Sequence, residues 1–136
     1  MIKSAELRIG NILQFDDLLS SVTAIDVDLD GVSNEVIADG SYNFIPLSSG
    51  RVKGWPIDED ALLSFGFKKT GDISDLVRKW SIDDSKFILY FNGEYAGLIT
   101  SLPKAVPIYN VHQLQNLYFS LIGKELIKAD ALALVK

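Results

Sequence analysis

The residues able to do chemistry gather at a few places. His112, the only histidine of the chain, opens the series His112, Gln115, Asn116 and Phe119. The spacing i, i+3, i+4, i+7 puts all four on one stripe of a helix. An imidazole that titrates near neutrality suits general acid–base work. The neighbouring sequence offers it no nucleophile, so no catalytic residue is assigned. Two readings of the stripe remain. In one it docks the helix onto an N-terminal sheet, with His112 and Gln115 hydrogen-bonding loop backbone, because buried polar groups find partners. In the other it is a recognition surface, with Phe119 as anchor and His112, Gln115 and Asn116 setting orientation.

Asp26-Val-Asp-Leu-Asp-Gly31 begins like a calcium loop, with alternating carboxylates before a glycine. The twelfth position is Ile37 where a bidentate glutamate is needed, and the flanks read as strand. Asp26, Asp28 and Asp30 are thus read as carboxylates on an exposed strand face, with weak divalent-cation binding as the alternative, and no metal site is assigned. In Glu6-Leu-Arg-Ile-Gly-Asn11, Glu6 and Arg8 share a face if the segment is extended. The structural reading sends Leu7 and Ile9 to the core, turns the chain at Gly10 and ties the turn with Asn11. Asp58, Glu59 and Asp60 suggest paired carboxylates, but a helix start accounts for all three. Trp55, Trp80, Tyr90 and Tyr95 suggest a base-stacking platform; no basic residues are closely interleaved, so packing is the expectation. Patterns for phosphate loops, dinucleotide binding, nucleophile elbows and zinc proteases are missing from the sequence. No cofactor is implied.

The elements that position these residues follow from periodicity and turn chemistry. Residues 10–15, 21–28, 32–38 and 42–47 read as short strands, with turns at Leu29-Asp-Gly31 and Asp39-Gly40. Pro46 marks an edge. Ser48-Ser-Gly-Arg-Val-Lys-Gly54 is the expected linker. Asp58 caps a helix through Phe65, which Gly66 ends in a left-handed conformation with Phe67 folding back. Strands follow at 76–82, 86–91 and 94–100, the last two joined by a tight hairpin at Asn92-Gly93. Residues 110–122 form the long helix, with Val111, Leu114, Leu117, Tyr118, Leu121 and Ile122 on its core face. The apolar residues of 124–136 favour packing or a partner contact over a solvated tail.

The fold class expected is α+β. A small antiparallel β subdomain, a partial barrel over residues 1–50, precedes an α-β-β-β-α unit over 51–136, with the C-terminal helix packed on the sheet. A chain of 136 residues, 48% hydrophobic, can bury such a core. It has no cysteine, which removes disulfides and thiolate chemistry. Residues 1–6 lack the apolar core of a signal peptide, and apolar runs such as 87–91 and 131–135 are far too short for a bilayer. The expectation is a soluble, cytoplasmic protein. Its charge of −5 lies mostly at the front: residues 1–50 hold eight acids against Lys3 and Arg8. That disfavours nucleic acid as a partner.

Glu6-Leu-Arg-Ile-Gly-Asn11 together with His112-Gln-Leu-Gln-Asn-Leu-Tyr-Phe119 and Gly123-Lys-Glu-Leu126 resembles a family of small uncharacterised proteins from Bacteroidetes, often encoded in prophages and mobile elements. Ile45-Pro-Leu47 and the Pro56–Phe67 segment are similar to the family's proline-plus-helix connector. The apolar tail from Ala129 is longer than is usual there. The resemblance implies no activity and no catalytic residue. It favours a non-enzymatic interaction or accessory protein with a protein partner. A ligand or nucleic-acid module on the N-terminal β subdomain, and an enzyme built on His112, are the alternatives.

Overall fold

The computed structural model describes residues 2, 6–26, 35–72, 77–82, 87–93 and 107–128, and the backbone alone of 96–98. It is an α+β protein that divides into two compact units. One comprises residues 1–55 with 111–116, the other 56–110 with 117–136.

The first unit holds strands β1 (Ile12–Phe15), β2 (Leu18–Asp26), β3 (Glu35–Ala38), β4 (Ile45–Pro46) and β5 (Val52–Gly54), with a 3-10 turn at Leu47–Ser49. They form one antiparallel sheet in the order β4-β3-β2-β1-β5. The chain meanders outward from β1 to β4, and β5 returns to the free side of β1, pairing Val52 with Phe15 and Gly54 with Leu13. The sheet stays open, its edges being β4 and β5. Pro46 sits on the β4 edge, where its missing N–H costs no ladder bond. Leu13, Phe15, Val22, Val36, Ala38, Ile45 and Val52 form the core with Ile2, Leu7 and Leu47. Alternation delivers them to one side, although β2 shifts register between Val22 and Ala24.

The expected linker is therefore partly strand. Ser48 and Gly50 belong to the turn that redirects the chain, Gly50 at φ 79°, and Val52–Gly54 completes the sheet. The first unit consequently runs on to Trp55 rather than stopping at residue 50.

The second unit begins with helix α1 (Glu59–Ser64). Asp58 Oδ1 accepts from Ala61 N at 2.7 Å, and Glu59 and Asp60 occupy the first turn, where carboxylates suit the positive helix end. At the other end Phe67 N donates to Leu62 O and Gly66 N to Leu63 O, with Gly66 at φ 91°. This is a Schellman cap. A four-stranded antiparallel sheet follows, β6 (Lys68–Asp72), β7 (Arg78–Ile82), β8 (Phe87–Phe91) and β9 (Ala96–Leu98), in chain order. Phe87, Leu89 and Phe91 are buried while Tyr90 is exposed. Phe87 meets Phe67 at 6.2 Å and, edge to face, Tyr118 of helix α2 (Val111–Ile122) at 5.1 Å. That aromatic stack seats the end of α2 on the sheet.

The sequence reading missed β6, so this unit is α-β-β-β-β-α. Lys68-Lys-Thr-Gly-Asp72 carries no apolar alternation because it is an edge strand. Its lysines are what such edges use to stay unpaired. The Nζ of Lys69 lies 5.5 Å over the buried Trp80 ring and 3.6 Å from Glu59. The tight hairpin is also elsewhere than expected. Phe91 pairs with Ala96, so four residues join β8 to β9, and Gly93 but not Asn92 has positive φ. The two-residue turn is Asp16-Asp17, between paired Phe15 and Leu18, with φ of 49° and 72°. A type I′ turn requires positive φ at both central positions. Arg51 grips Asp16 through Nε and Nη2, and this contact holds the Asp16 carboxyl below its usual range.

Arg51 bonds Asp16 and not Asp17, and Asp17 carries the left-handed strain of a residue with a Cβ. Asp17→Gly should raise the unfolding free energy by about 0.5–1 kcal/mol, read from chemical denaturation midpoints at unchanged slope. Asp16→Gly, which also loses the Arg51 contact, should gain less.

Candidate functional site

The sequence-selected residues meet in the first unit, where the opening of α2 grips the segment Glu6–Ile12. Leu7 enters the core, but Ile9 points to solvent, contrary to expectation. The reason is the turn that follows: Gly10 takes φ 96°, Asn11 N donates to Arg8 O at 3.1 Å, and Gly10 N to Val22 O at 2.8 Å. Asn11 ties this turn, its Oδ1 accepting from Arg8 N at 2.6 Å. Asn11 itself is buried.

Two amide side chains of α2 complete the grip. Gln115 Oε1 accepts from Ile12 N at 2.8 Å and lies 3.5 Å from Asn11 Nδ2. Its Nε2 donates to Gly10 O at 3.3 Å. Asn116 Oδ1 accepts from Asn11 Nδ2 at 2.8 Å and from Arg8 Nη1 at 3.1 Å, while its Nδ2 donates to Glu6 O at 2.7 Å. An amide offers both a donor and an acceptor, so Gln115 satisfies backbone of both polarities along an irregular segment, while Asn116 satisfies one backbone carbonyl and gathers the Asn11 and Arg8 side chains. The Glu6 and Arg8 side chains both lead toward α2, Arg8 to Asn116 and Glu6 to His112.

His112 is 1% exposed and Gln115 3%. Neither ring nitrogen of His112 has a hydrogen-bond partner. Its Nε2 stands 3.6 Å from Glu6 Oε1, just past hydrogen-bond reach. Burial penalises the imidazolium and holds His112 below its ordinary value, while the charge and proximity of Glu6 act the other way without overcoming it. The ring is a neutral core residue at neutral pH.

The stripe thus divides. His112 and Gln115 face inward, Asn116 is half-buried with both amide atoms engaged, and Phe119, 39% exposed, is the member at the surface. The recognition reading loses His112 and Gln115 as accessible groups, and the docking geometry accounts for Gln115 and Asn116. Leu121, assigned to the core face, is exposed instead, whereas Val111, Leu114 and Tyr118 are buried. Asp26 ends β2 at the surface, and Asp28 and Asp30 lie outside the described residues, as does Tyr95. Among the described residues no group of His, Asp and Glu is arranged to hold a metal, and no helix is long and apolar enough to cross a membrane.

Two concavities among the described residues lie apart from this grip. In the first unit, a polar cavity of about 280 Å³ is lined by Gln14, Asp16, Asp17, Ser49, Arg51 and Lys53. In the second unit, a pocket of about 510 Å³ lies among Asp58, Glu59, Asp60, Arg78 and Phe91. In both, carboxylates are already engaged: Asp16 by Arg51, Asp58 by the α1 backbone, and Glu59 by Lys69. Neither was visible in the sequence, because each draws on separate turns and strands.

The fold and site define a small α+β protein whose most distinctive polar motif is built into its own scaffold. In comparisons with known proteins, no family model, no curated protein and no solved structure matches this chain.

Two predictions separate scaffold from surface. Gln115→Ala should lower the unfolding free energy by about 2–3 kcal/mol, because it strands the Ile12 N–H and the Gly10 carbonyl. Phe119→Ala should cost about 1 kcal/mol or less. For pH, the native state holds a proton on His112 less readily than the unfolded chain, whose value lies near 6.5. The resulting stability is full above that value and is lost as pH falls from there toward the folded-state value. Urea titrations between about pH 7 and pH 5 should show a fall that His112→Leu diminishes. An equal fall in the two proteins would show that the ring does not couple to folding.

Proposed function

We propose that this chain is a non-enzymatic interaction protein, an accessory component of a prophage or mobile element, and that it binds a protein partner through the outer surface of its first unit. The observation that carries this reading is the set of large apolar side chains left in water at one end of the five-stranded sheet. Leu18 is 73% exposed and Tyr42 95%, with Leu19 and Phe44 also exposed. Isolated exposures of this kind need no explanation. Asp39 N donates to Ser21 O and Ser20 Oγ to Asp39 O, so the turn that leads from β3 to Tyr42 and Phe44 opens at the end of β2 that carries Leu18 and Leu19. The turns that flank them carry Asp16, Asp17 and Asp39, of which Asp16 is paired with Arg51. Apolar anchors within acidic surroundings suit a partner segment that is basic and partly apolar. The same acids disfavour a phosphate backbone. The resemblance of the end motifs to mobile-element proteins supports the biological setting.

Affinity capture from lysate of the source organism, followed by cross-linking, tests this. The expected result is one partner whose cross-linked segment is rich in Lys or Arg, held more weakly at high salt and lost on Leu18→Ser with Tyr42→Ser. Thermal denaturation must show the double variant folded. Retention by that variant, or loss only on Phe119→Ala, would move the interface off this surface.

A further inference from the structure

We propose that residues 6–11 form an acid-released strap, in which protonation of His112 favours a state where this segment has lifted from the first turns of α2. This proposal is independent of the partner reading above.

The geometry is that of a lid over a titratable group. His112 is buried with both nitrogens unpartnered, so an imidazolium formed in place would bring two N–H donors into a site where they meet no acceptor at hydrogen-bond distance. The nearest carboxylate belongs to the strap itself, Glu6 at 3.6 Å. Water reaches the ring at the lowest cost if the strap moves, because the strap's hold is mostly polar and replaceable by water. Its contacts with α2 include Asn116 to Glu6 O, Arg8 to Asn116, Asn11 to Asn116 and to Gln115, and Gln115 to Gly10 O; at its far end two backbone bonds, Gly10 N to Val22 O and Val22 N to Asn11 O, join it to β2 and leave Glu6–Ile9 as the part free to lift. Leu7 is its one buried apolar side chain, since Ile9 is exposed. The sheet strands behind it are, by contrast, laddered and apolar.

The charges around the ring leave the strap as the responsive part. Glu6 and Arg8 are its ionisable side chains. Glu6 alone acts on the ring by charge, easing protonation, while Arg8 is engaged one turn further along α2. The first turn of α2 carries no acid. Strand β1 has no ionisable residue, and β2 has none before Asp26 at its far end. In β5, Lys53 lines the cavity beside Asp16 and Asp17 instead.

Amide hydrogen exchange by NMR tests the proposal, expressed as protection factors so that the intrinsic pH dependence of exchange is removed. The Arg8 and Ile12 amides report on the strap, because they are bound to Asn11 Oδ1 and Gln115 Oε1. The Leu89 amide in β8 reports on the second unit. Between about pH 7 and pH 5, strap protection should fall by up to about tenfold per pH unit as the pH drops below the value of the uncovered ring, near 6.5, toward that of the covered ring, the limit for one proton. Leu89 protection should hold. Glu6→Gln should leave the onset in place and extend the fall to lower pH, and His112→Leu should abolish it. Strap protection that stays constant while the His112 ring protons shift through their titration would overturn the proposal. So would protection lost in step with Leu89, or a rise in strap protection as the ring protonates. If His112→Leu does not fold, coincidence of ring titration and strap opening in the unaltered protein decides the matter.

Discussion

The first unit depends on a constraint that its own sheet cannot meet. Residues 6–12 run as an irregular approach to β1, and their backbone groups at Glu6, Gly10 and Ile12 need partners that a ladder does not supply. Gln115 and Asn116 supply them from two successive positions of α2. The cost of leaving such groups unpaired is on the order of 1–3 kcal/mol each, which is large beside a domain's net stability. The turn at Arg8–Asn11 then has to hold one shape, and Gly10 at positive φ with Asn11 bonded to Arg8 N enforces it. Two sequence motifs about a hundred residues apart are therefore one structural device.

The second unit meets its constraints locally. Asp58 and the Gly66–Phe67 cap close both ends of a six-residue helix, and so short a helix would not persist on propensity alone. Its burial of Ala61 and Leu62 and the Phe67–Phe87–Tyr118 stack do the rest. Where the first unit uses amides to bind irregular backbone, the second uses regular ladders and aromatic packing. That difference places the polar chemistry of the chain in the first.

Legibility followed the strength of local physical signals. The 3.6-residue period of α2, the cap residues of α1 and the period-two burial of β8 were readable, because each is imposed by short-range geometry. Strand β5 was hidden behind Ser-Ser-Gly, whose turn chemistry is real but ends at Gly50 and leaves Val52 free to pair. Strand β6 was hidden because an edge needs charge rather than alternation. Asn92-Gly93 has the better turn composition, yet Asp16-Asp17 makes the tight turn, with Arg51 gripping the first carboxylate and the β1–β2 register fixed by core burial. Ile9 and Leu121 were misplaced for one reason: period arguments extend a stripe past the point where the packed surface ends.

The His112 stripe shows where sequence reasoning about function reaches its limit and why. His, Gln and Asn at helical spacing satisfy either a partner's polar groups or the protein's own, and the side-chain chemistry is the same in both cases. Burial distinguishes them, and burial depends on whether an irregular segment elsewhere in the chain needs those amides. Here it does. Gln115 and Asn116 have little hydrogen-bonding capacity left for a ligand, and His112 has capacity but no access. A group with unused capacity beneath a polar strap contributes to folding mainly through its protonation state, since its neutral form packs and its charged form does not. The chemistry of the stripe is thus redirected from recognition toward the stability of the segment that covers it. The apolar side chains left exposed, such as Leu18 and Tyr42, have the opposite property: access to solvent and, among the described residues, no partner within the fold to account for it.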